Sequence, residues 1–334
     1  MGDRIAIVVP VLDDWVSFTA LARRIADEFS CSGATVSLVA IDDGSAEPFD
    51  VTSIELPADT GVSEISVLRL AVNLGHQRAI AVGLSSLARR DDVDMVIVMD
   101  GDGEDRPEDI AALRAAHRQN PGHAVLARRS KRSERGVFRV GYVLYKWLFR
   151  VLTGQTINFG NFSLLPMRIV RRLVYMPELW NNLPAALIRS RVRYTSVPLA
   201  RGVRYAGQSK MNLASLIVHG LSAMSVYTDV IFVRIMLLAG LVSGLAMLGM
   251  IALVTVRMFT DLGVPGWAST MFGDLMIILM QTLVMVIATS LVLLAGRSQR
   301  PIIPIIDAAA FILEDSGKGA VRGDEGLGAS GRGV

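Results

Sequence analysis

Short apolar runs alternate with helix-type stretches over roughly the first 200 residues of the chain. Five strand candidates lie at 5–9, 35–41, 66–70, 95–99 and 124–127. Helical patterns lie near 14–29, 76–89, 107–118 and 134–152. Alternation of this kind is typical of βαβ units, in which helices join parallel strands and cover the sheet. The pattern predicts an α/β domain with a mostly parallel sheet.

The pattern changes character in the last third of the chain. Residues 235–256 carry no charged side chain, and neither do residues 275–296. As helices rising about 1.5 Å per residue, such stretches would be about 33 Å long, enough to cross a hydrocarbon core of about 30 Å. The sequence therefore predicts two transmembrane helices, with a buried helical hairpin as the alternative.

Basic residues set the predicted orientation of these spans. Those on the flanks of the pair are Arg201, Arg204, Lys210 and Arg234 before it, and Arg297 and Arg300 after it. The loop between the spans offers only Arg257 against Asp261 and Asp274. The positive-inside rule then puts both termini in the cytosol.

The predicted domains follow from these patterns. They are a cytosolic α/β domain at 1–210, an amphipathic juxtamembrane helix at 211–229, a first transmembrane helix at 230–257, an extracytoplasmic loop at 258–273, a second transmembrane helix at 274–296 and a cytosolic tail at 297–334. The juxtamembrane helix has one apolar face, which fits a helix in the membrane interface or a linker helix packed on the α/β domain. The tail is rich in glycine from about residue 315 and is expected to be largely disordered.

Composition narrows the class of protein. Apolar residues make up 51% of the chain and the mean hydropathy is +0.44, as expected if part of it lies in a membrane. The net charge of +3 does not suggest a nucleic-acid partner. The single cysteine, Cys31, excludes an internal disulfide.

Candidate chemistry begins where the fourth predicted strand ends, in the stretch "MVIVMDGDGEDRPEDI" at 95–110. Ligands of open α/β sheets bind outside the carboxyl ends of the strands, and Asp100 and Asp102 stand at such an end. An Asp-x-Asp pair on a tight turn can bind Mg²⁺ or Mn²⁺, whose remaining positions take a diphosphate. Gly101 and Gly103 permit a sharp turn and a close approach of the ligand.

Two other interpretations compete for this acidic turn. An EF-hand loop needs Gly at its sixth position and Glu at its twelfth, where this chain has Asp105 and Ala111, so that interpretation fails. A solvated turn that caps the next helix would use Asp105 as N-cap and Glu108 at the third helical position. Capping explains Asp105 and Glu108 but does not explain why Asp100 and Asp102 are acidic.

Seven motifs carry a resemblance to a known family. In chain order they are "IAIVVPVLDDW" (5–15), "VAIDDGSAEP" (39–48), "LRLAVNLGHQRAIAVGL" (68–84), "MDGDGEDRPE" (99–108), "LARRSKRSE" (126–134), "GNFSLLP" (160–166) and "RGVRYAGQSK" (201–210). Their order and spacing resemble the family 2 glycosyltransferases of GT-A fold. More narrowly, they are similar to the polyprenyl-phosphate group, which includes dolichol-phosphate mannose synthase and the bactoprenol glucosyltransferases. The resemblance covers roughly residues 4–300.

The resemblance implies a role for each matching residue. The nucleotide-base pocket is implied for Pro10, Leu12 and Asp14, and a contact with base or ribose for Asp43. The metal and diphosphate acids are Asp100 and Asp102, with Gly101 between them and Glu104 in place of the family's Gln as a third metal candidate. Cations around the donor and acceptor phosphates are Arg128, Arg204 and Lys210, with Arg129, Arg139 and Arg201 as further members.

Two other segments depart from the family pattern. Gly-Asp-Phe-Arg is usual where this chain has Gly160, Asn161, Phe162 and Ser163, so an amide replaces an acid that is often given an active-site role. His76 stands where relatives often carry Lys. A phosphate nucleophile is already ionised near pH 7 and needs no strong base, so Asn161 remains a substrate-binding candidate.

The resemblance implies a membrane-anchored glycosyltransferase. It would move a sugar from a UDP- or GDP-linked donor to a polyprenyl (undecaprenyl) phosphate with Mg²⁺ or Mn²⁺ and would invert the anomeric centre. It would be a multi-pass protein of the inner membrane. A homo-oligomer is compatible with the paired spans. Two alternatives stay open: transfer to another membrane lipid, and a non-catalytic scaffold that binds a nucleotide.

Overall fold

The computed structural model describes residues 2–30, 32–57, 60–129, 136–205, 213–260 and 266–320. Side chains at 129, 136–144, 213–217, 219 and 314–320 lie outside this description. The strands are β1 (Arg4–Val11), β2 (Thr35–Asp42), β3 (Val62–Leu70), β4 (Met95–Val98), β5 (Ala124–Arg129), β6 (Ser163–Pro166), β7 (Tyr194–Leu199) and β8 (Ile312–Ala320). The helices are α1 (Trp15–Phe29), α2 (His76–Leu87), α3 (Ile110–Gln119), α4 (Gly136–Thr153), α5 (Met167–Leu173), α6 (Leu183–Arg189), α7 (Leu213–Ser225), α8 (Thr228–Phe259), α9 (Trp267–Ser298) and α10 (Pro304–Asp307).

One sheet contains all eight of these strands, in the order β7-β5-β6-β4-β1-β2-β3-β8. Strand β1 pairs in parallel with β2 and β4, and the pairs β2–β3 and β5–β7 are also parallel. Strand β6 runs antiparallel to β4 and β5, and β8 runs antiparallel to β3. The predicted mostly parallel α/β sheet is confirmed.

Helices cover both faces of the sheet, and this explains why its central strands are apolar without alternation. In β1, Ile5 and Ile7 pack with the buried side of α1, whereas Ala6 and Val8 face the side of α2. Helix α1 buries Phe18, Leu21, Ile25 and Phe29, one stripe at helical spacing. Helix α3 shares that face, and α5 and α6 share the face of α2.

The described residues divide into two compact units. The sheet unit comprises Met1–Arg139, Ile157–Val226 and Ile302–Val334, and the hairpin unit comprises Val140–Thr156 and Tyr227–Pro301. The predicted continuous domain at 1–210 therefore differs from the structure, because most of α4 groups with the two apolar helices. Of the predicted tail, the described residues 302–320 group with the sheet unit.

The hairpin unit contains two helices long and apolar enough to cross a membrane, Thr228–Phe259 and Trp267–Ser298. Of α8 only Ala239, Ala246 and Leu253 are buried, and of α9 no residue is. At the start of α8, the Arg234 guanidinium donates hydrogen bonds to the Val151 and Arg150 carbonyls in the last turn of α4. The Arg150 carbonyl also accepts from the Gly154 N–H at 2.8 Å. Arg234 adds donors to the carbonyls at the end of this helix and so caps α4 within the hairpin unit.

The segment after α9 packs against the sheet unit. The Ile305 N–H donates to the Val174 carbonyl at 2.9 Å, and the Phe311 ring lies 5.2 Å from that of Trp180. The chain then forms β8, which adds to the edge of the sheet at β3. Residues 315–320, expected to be disordered from their composition, are thus part of a strand, because an open sheet edge offers backbone partners that composition does not reveal. Residues 321–334 lie outside the described part.

Helix α2 packs closely on the sheet through Gly83, and this contact yields a prediction. A Cβ added there would meet side-chain atoms of Ile41 and Val8 at 2.9 Å. Alanine usually stabilises a helix interior, but here we expect Gly83→Ala to destabilise the protein by about 1–3 kcal/mol through overpacking. Urea unfolding in detergent, followed by tryptophan fluorescence, measures the change.

Gly240→Ala is the control, since nothing lies within 4 Å of the corresponding position in α8. Equal unfolding midpoints for the two variants would contradict the packing argument.

Candidate active site

Three loops meet at the carboxyl edge of the sheet. Strands β4, β1 and β2 are parallel neighbours, so the segments that follow them emerge at the same edge. These segments are 12–14, 43–46 and 99–106. The register pairs Val11 with Asp42, which sets the first two loops side by side.

The loop after β1 is tied to the loop after β2 by Asp13. Its N–H donates to Ser45 Oγ at 2.9 Å, and its Oδ1 accepts from the Ala46 N–H at 2.9 Å. Asp13 holds a φ of 50°, a conformation that non-glycine residues rarely adopt. Asp13 is not among the site residues predicted from the sequence. The two adjacent acids at 13 and 14 are the feature that could have indicated it.

The residues predicted to line a base pocket separate into two kinds. Pro10 and Leu12 lie at the end of β1, and the Leu12 side chain is 39% exposed beside the Asp13 loop. Asp14 is the N-cap of α1 and accepts from the Ser17 N–H at 3.3 Å. Its carboxylate therefore has a structural task at a helix start, and its predicted contact with the base stays a prediction.

Asp43 organises the loop between β3 and α2. It is 3% exposed, and its carboxylate accepts from the Leu74 N–H at 2.7 Å and the Gly75 N–H at 2.9 Å. Burial raises the pKa of Asp43, although these two hydrogen bonds and the nearby His76 oppose the shift. The predicted contact of Asp43 with base or ribose stays a prediction, and its hydrogen bonds link the β2 loop to the start of α2.

The turn after β4 is closed by its own side chains. Asp105 is 4% exposed and its Oδ2 accepts from the Asp100 N–H at 2.9 Å. Helix α3 begins later, at Ile110, after a 3₁₀ turn at Pro107–Asp109. The prediction that Asp105 is the N-cap of this helix is wrong, because its carboxylate turns back into the acidic turn.

The acids of the turn meet two arginines from the loop after β7, and we call Asp102, Glu104, Arg201 and Arg204 the acid–arginine cluster. Arg204 Nη2 lies 2.8 Å from Asp102 Oδ2, and its Nε donates to Glu104 Oε1 at 3.0 Å. Arg201 Nη2 pairs with Glu104 Oε2. The structure thus brings together the predicted acids and two of the predicted cations across about 100 residues of sequence.

The same loops are joined by backbone hydrogen bonds. The Gly202 N–H donates to the Glu104 carbonyl and the Tyr205 N–H to the Asp102 carbonyl, each at 2.9 Å. Gly103 has a φ of 90°, and a Cβ there would meet the Val203 carbonyl oxygen at 2.9 Å. The glycine is therefore required both by the turn and by the neighbouring loop.

The pKa values of Asp102 and Glu104 are shifted in opposite directions. Burial raises the pKa of Asp102, and the Asp100 and Glu104 carboxylates add to this effect, against the Glu104 N–H and Arg204. Burial also acts to raise the pKa of Glu104, but hydrogen bonds from Arg201 and Arg204 outweigh it and the pKa is lowered. A cation added beside these acids would therefore stabilise the ionised form of Asp102 more than that of Glu104, which two guanidinium groups already stabilise.

The donor set of the turn fits a hard divalent cation. Among the described residues, no three His, Cys, Asp or Glu side chains form a ready-made metal site. Mg²⁺ and its analogues commonly bind through one or two carboxylates and complete their shell with water and substrate phosphates. Asp100 and Asp102 could supply those carboxylates, while Glu104 is engaged by two guanidinium groups. Metal binding by all three acids stays a prediction.

The two departures from the family pattern contact each other. The Leu183 N–H donates to Gln77 Oε1 at 2.8 Å, and Gln77 Nε2 donates to Asn161 Oδ1 at 2.9 Å. Asn161 Nδ2 then lies 2.9 Å from His76 Nε2, which itself lies 3.2 Å from Asp100 Oδ1. Because the backbone N–H of Leu183 can only donate, it sets the direction of the bonds through Gln77 to Asn161 Oδ1. His76 Nε2 can then either accept from Asn161 Nδ2 or donate to Asp100 Oδ1, depending on its protonation. Sequence reasoning did not find Gln77.

The Asp100 carboxylate also governs His76. Burial acts to lower the pKa of His76, but the charge and hydrogen bond of Asp100 together with the charges of Asp43 and Asp105 outweigh it, and the pKa is raised. Ser163, where the family has Arg, is fully buried at the start of β6 and its Oγ donates to the Asn161 carbonyl at 2.8 Å. A long cation would not fit at that position without a rearrangement.

The remaining predicted cations are not part of the cluster within the described residues. Arg128 is exposed near the end of β5. Arg129 ends that strand and Arg139 lies in α4, and the side chains of both are outside the described part, as is the whole of Lys210.

Comparison with known proteins shows which family the chain matches. The family described as Glycosyl transferase family 2 matches residues 6–172, which include β1 to β6. The uncharacterized glycosyltransferase YkcC of Bacillus subtilis (strain 168) is 23% identical over 272 residues, 79% of this chain and 80% of the relative. The uncharacterized glycosyltransferase sll0501 of Synechocystis sp. is 24% identical over 280 residues, 82% of this chain and 85% of the relative.

Solved structures also resemble the chain. Glucosyl-3-phosphoglycerate synthase from Mycobacterium tuberculosis, in complex with Mn²⁺, UDP-glucose and phosphoglyceric acid, is 16% identical with a TM-score of 0.48, covering 69% of this chain and 80% of that one. Mannosyl-3-phosphoglycerate synthase from Rubrobacter xylanophilus is 14% identical with a TM-score of 0.48, covering 78% of this chain and 77% of that one.

The hydrogen-bond relay predicts a stability effect at Gln77, which is 8% exposed. Gln77→Leu keeps a similar volume but leaves the Leu183 N–H and the side-chain Oδ1 of Asn161 without their Gln77 partner. We expect the free energy of unfolding to fall by about 1–3 kcal/mol, the cost of unsatisfied buried polar groups. Urea unfolding in detergent measures it.

Arg78→Leu is the matched control, because Arg78 is the next residue of α2 and is exposed. A Gln77→Leu variant as stable as the Arg78→Leu variant would show that the relay contributes little to folding.

Proposed function

The chain belongs to glycosyl transferase family 2, and from that premise we propose that it transfers a sugar from a nucleotide-sugar donor to a polyprenyl phosphate at the surface of a membrane. The acid–arginine cluster is the observation that carries this proposal. It sets carboxylates suited to a metal–diphosphate beside guanidinium groups suited to phosphate, at the edge of the sheet where ligands of α/β folds bind.

The chemistry needs charge stabilisation more than proton transfer. A phosphate oxygen of the lipid attacks the anomeric carbon, and the bond from that carbon to the nucleoside diphosphate breaks with the electron pair leaving on the diphosphate. A bound Mg²⁺ or Mn²⁺ at Asp100 and Asp102 would neutralise charge on this leaving group. Arg204 and Arg201 stabilise phosphate oxygens as charge moves. A single displacement of this kind inverts the anomeric centre.

Asn161 supports a phosphate acceptor over a hydroxyl acceptor. A hydroxyl nucleophile would need a general base within hydrogen-bond reach, and an amide cannot accept that proton. A phosphate monoester is ionised near neutral pH and needs no such base. The engagement of Asn161 in the relay with Gln77 and His76 is consistent with a role in holding the site rather than in proton transfer.

The chain path supports a membrane location with the sheet unit on one side. The chain leaves the sheet unit after Val226 and re-enters it at Ile302, and β8 pairs with β3 of the same sheet. Parts of one sheet lie on one side of a membrane, so the segment between them crosses an even number of times. Two crossings by α8 and α9 satisfy this condition, and both flanks of the pair are basic.

A transfer assay tests the reaction. The protein in detergent is given undecaprenyl phosphate, Mg²⁺ or Mn²⁺, and labelled UDP- or GDP-sugars in turn. We expect label in the lipid fraction, abolished by EDTA and reduced by at least about 100-fold in Asp102→Asn, because the donor diphosphate loses its stabilising charge.

Asp109→Asn is the control variant, since Asp109 lies beyond the acidic turn and contacts Arg106. Transfer to a diacylglycerol but not to undecaprenyl phosphate would replace the acceptor in this proposal. Nucleotide binding with no transfer to any lipid would favour a non-catalytic scaffold.

Cysteine labelling tests the two crossings. In a Cys31→Ser background, Thr260→Cys reports the loop between α8 and α9, and Leu313→Cys, at a side chain 64% exposed, reports the returning segment. In spheroplasts of a bacterial host, we expect an impermeant maleimide to label only Thr260→Cys until the membrane is opened. Tyr175→Cys, 64% exposed on the sheet unit, is the matched control for Leu313→Cys. Labelling of Leu313→Cys in intact spheroplasts would contradict the proposed topology.

A further inference from the structure

Glu104 differs from the other acids of the turn in how its oxygens are used. Oε1 accepts from Arg204 Nε at 3.0 Å and Oε2 pairs with Arg201 Nη2, so each oxygen is bound by a different guanidinium. The Glu104 side chain is only 10% exposed, against 29% for Arg204 and 36% for Arg201. The carboxylate thus lies beneath two cations that remain accessible.

Two guanidinium groups this close repel each other, and Glu104 offsets that repulsion. Like charges a few ångströms apart repel, and a carboxylate bound by both guanidinium groups makes the three-charge arrangement attractive. An Asp side chain at this position would be one methylene shorter. A Gln would offer one oxygen acceptor and no charge, so it could not hold both arginines in this way.

Arg204 divides its donors between two acids. Its Nη2 lies 2.8 Å from Asp102 Oδ2, whereas its Nε binds Glu104. In the proposed function, Asp102 is needed for the divalent cation of the donor. When Asp102 binds the cation, Arg204 Nη2 loses Asp102 as a partner, while Nε stays bound to Glu104. The guanidinium then stays in place, with donors available for another anion.

Resting on the proposed function, we propose that Glu104 is a positioning residue that holds Arg201 and Arg204 as a pair for the phosphate group of the acceptor, and that it is not a ligand of the divalent cation. A phosphate monoester has three terminal oxygens, and two guanidinium groups can bind them through parallel charge-assisted hydrogen bonds. Glu104 acts through the arginines and touches no substrate.

The backbone contacts of the turn make this proposal testable by one substitution. The Gly202 N–H to Glu104 carbonyl bond and the Tyr205 N–H to Asp102 carbonyl bond do not involve the Glu104 side chain. Glu104→Gln therefore leaves these backbone bonds between the two loops in place and weakens the hold on the arginines. The Glu104 N–H bond to Asp102 Oδ1, at 2.9 Å, is also kept.

Three measurements on Glu104→Gln separate positioning from metal binding. We expect the KM for undecaprenyl phosphate to rise about tenfold or more, as is usual when a supporting partner of a binding group is removed. We expect the KM for the nucleotide sugar to change less than about twofold, and the Kd for Mn²⁺, measured by electron paramagnetic resonance without substrates, to stay within about twofold. A weaker Mn²⁺ Kd with an unchanged acceptor KM would overturn the proposal, as would a rise in the donor KM alone.

Glu108→Gln is the matched control. It removes the same charge four residues along the chain, where the carboxylate lies 3.6 Å from Arg24 and 3.5 Å from Arg106 rather than beside the cluster. We expect its three constants to match those of the unaltered protein. Equal behaviour of the two variants would mean that Glu104 has no special role.

A second variant covers the case in which Glu104→Gln fails to fold. Arg201→Gln removes the more exposed partner, and we expect the same rise in acceptor KM with an unchanged Mn²⁺ Kd. Combined with Glu104→Gln, it should add less than the product of the two single effects, because both act through one ion pair. Fully multiplicative effects would contradict a shared role.

Direct binding separates this proposal from the proposed function. Farnesyl phosphate in detergent, titrated by calorimetry in the presence of Mn²⁺ and a nucleoside diphosphate, probes the phosphate site without any transfer. If the protein transfers no sugar to polyprenyl phosphate but Glu104→Gln weakens farnesyl phosphate binding about tenfold, the function fails and the positioning role holds. If transfer occurs and binding is unchanged by Glu104→Gln, the positioning role fails and the function holds.

Discussion

Negative charge crowded into one turn is the constraint on which the candidate site depends. Asp100, Asp102 and Glu104 alternate with glycines directly after a buried strand, and like charges at this spacing repel unless cations lie among them. Arg201 and Arg204 supply that charge from a loop about 100 residues away. The pairing also holds the loop after β7 against the turn. The same ion pairs therefore neutralise the acids and join two loops at the edge of the sheet.

The path of the chain imposes a second constraint, on the hairpin unit. Strand β8 belongs to the same sheet as β1 to β7, although α8 and α9 separate it from them in sequence. A strand that completes a sheet cannot lie across a bilayer from it, because its backbone hydrogen bonds need adjacent partners. The chain therefore enters and leaves the hairpin unit from the same folded unit. This connection restricts the possible topologies more strongly than the distribution of basic residues does.

The two family departures illustrate how a site can change as a unit. His76 and Asn161 are far apart in sequence but lie in contact, and Gln77 joins them to the backbone of α6. A neutral amide beside an imidazole replaces what the family pattern would make an acid beside a lysine. The contact makes the two departures one rearranged pair, which leaves the acids of the turn intact.

The sequence by itself determined the parts that depend on local pattern. Apolar runs, helical stripes and two uncharged stretches predicted β1 to β5, α1 to α4, α7 and the two long helices, because burial of side chains follows periodicity. The tertiary structure alone decided which polar groups meet. Strands β6, β7 and β8 were missed since short or mixed segments become strands only beside an edge that pairs with them. Asp105 turned inward instead of capping α3, and Glu104 received two arginines, because hydrogen bonds and charges are set by groups distant in sequence and only the folded chain brings them together.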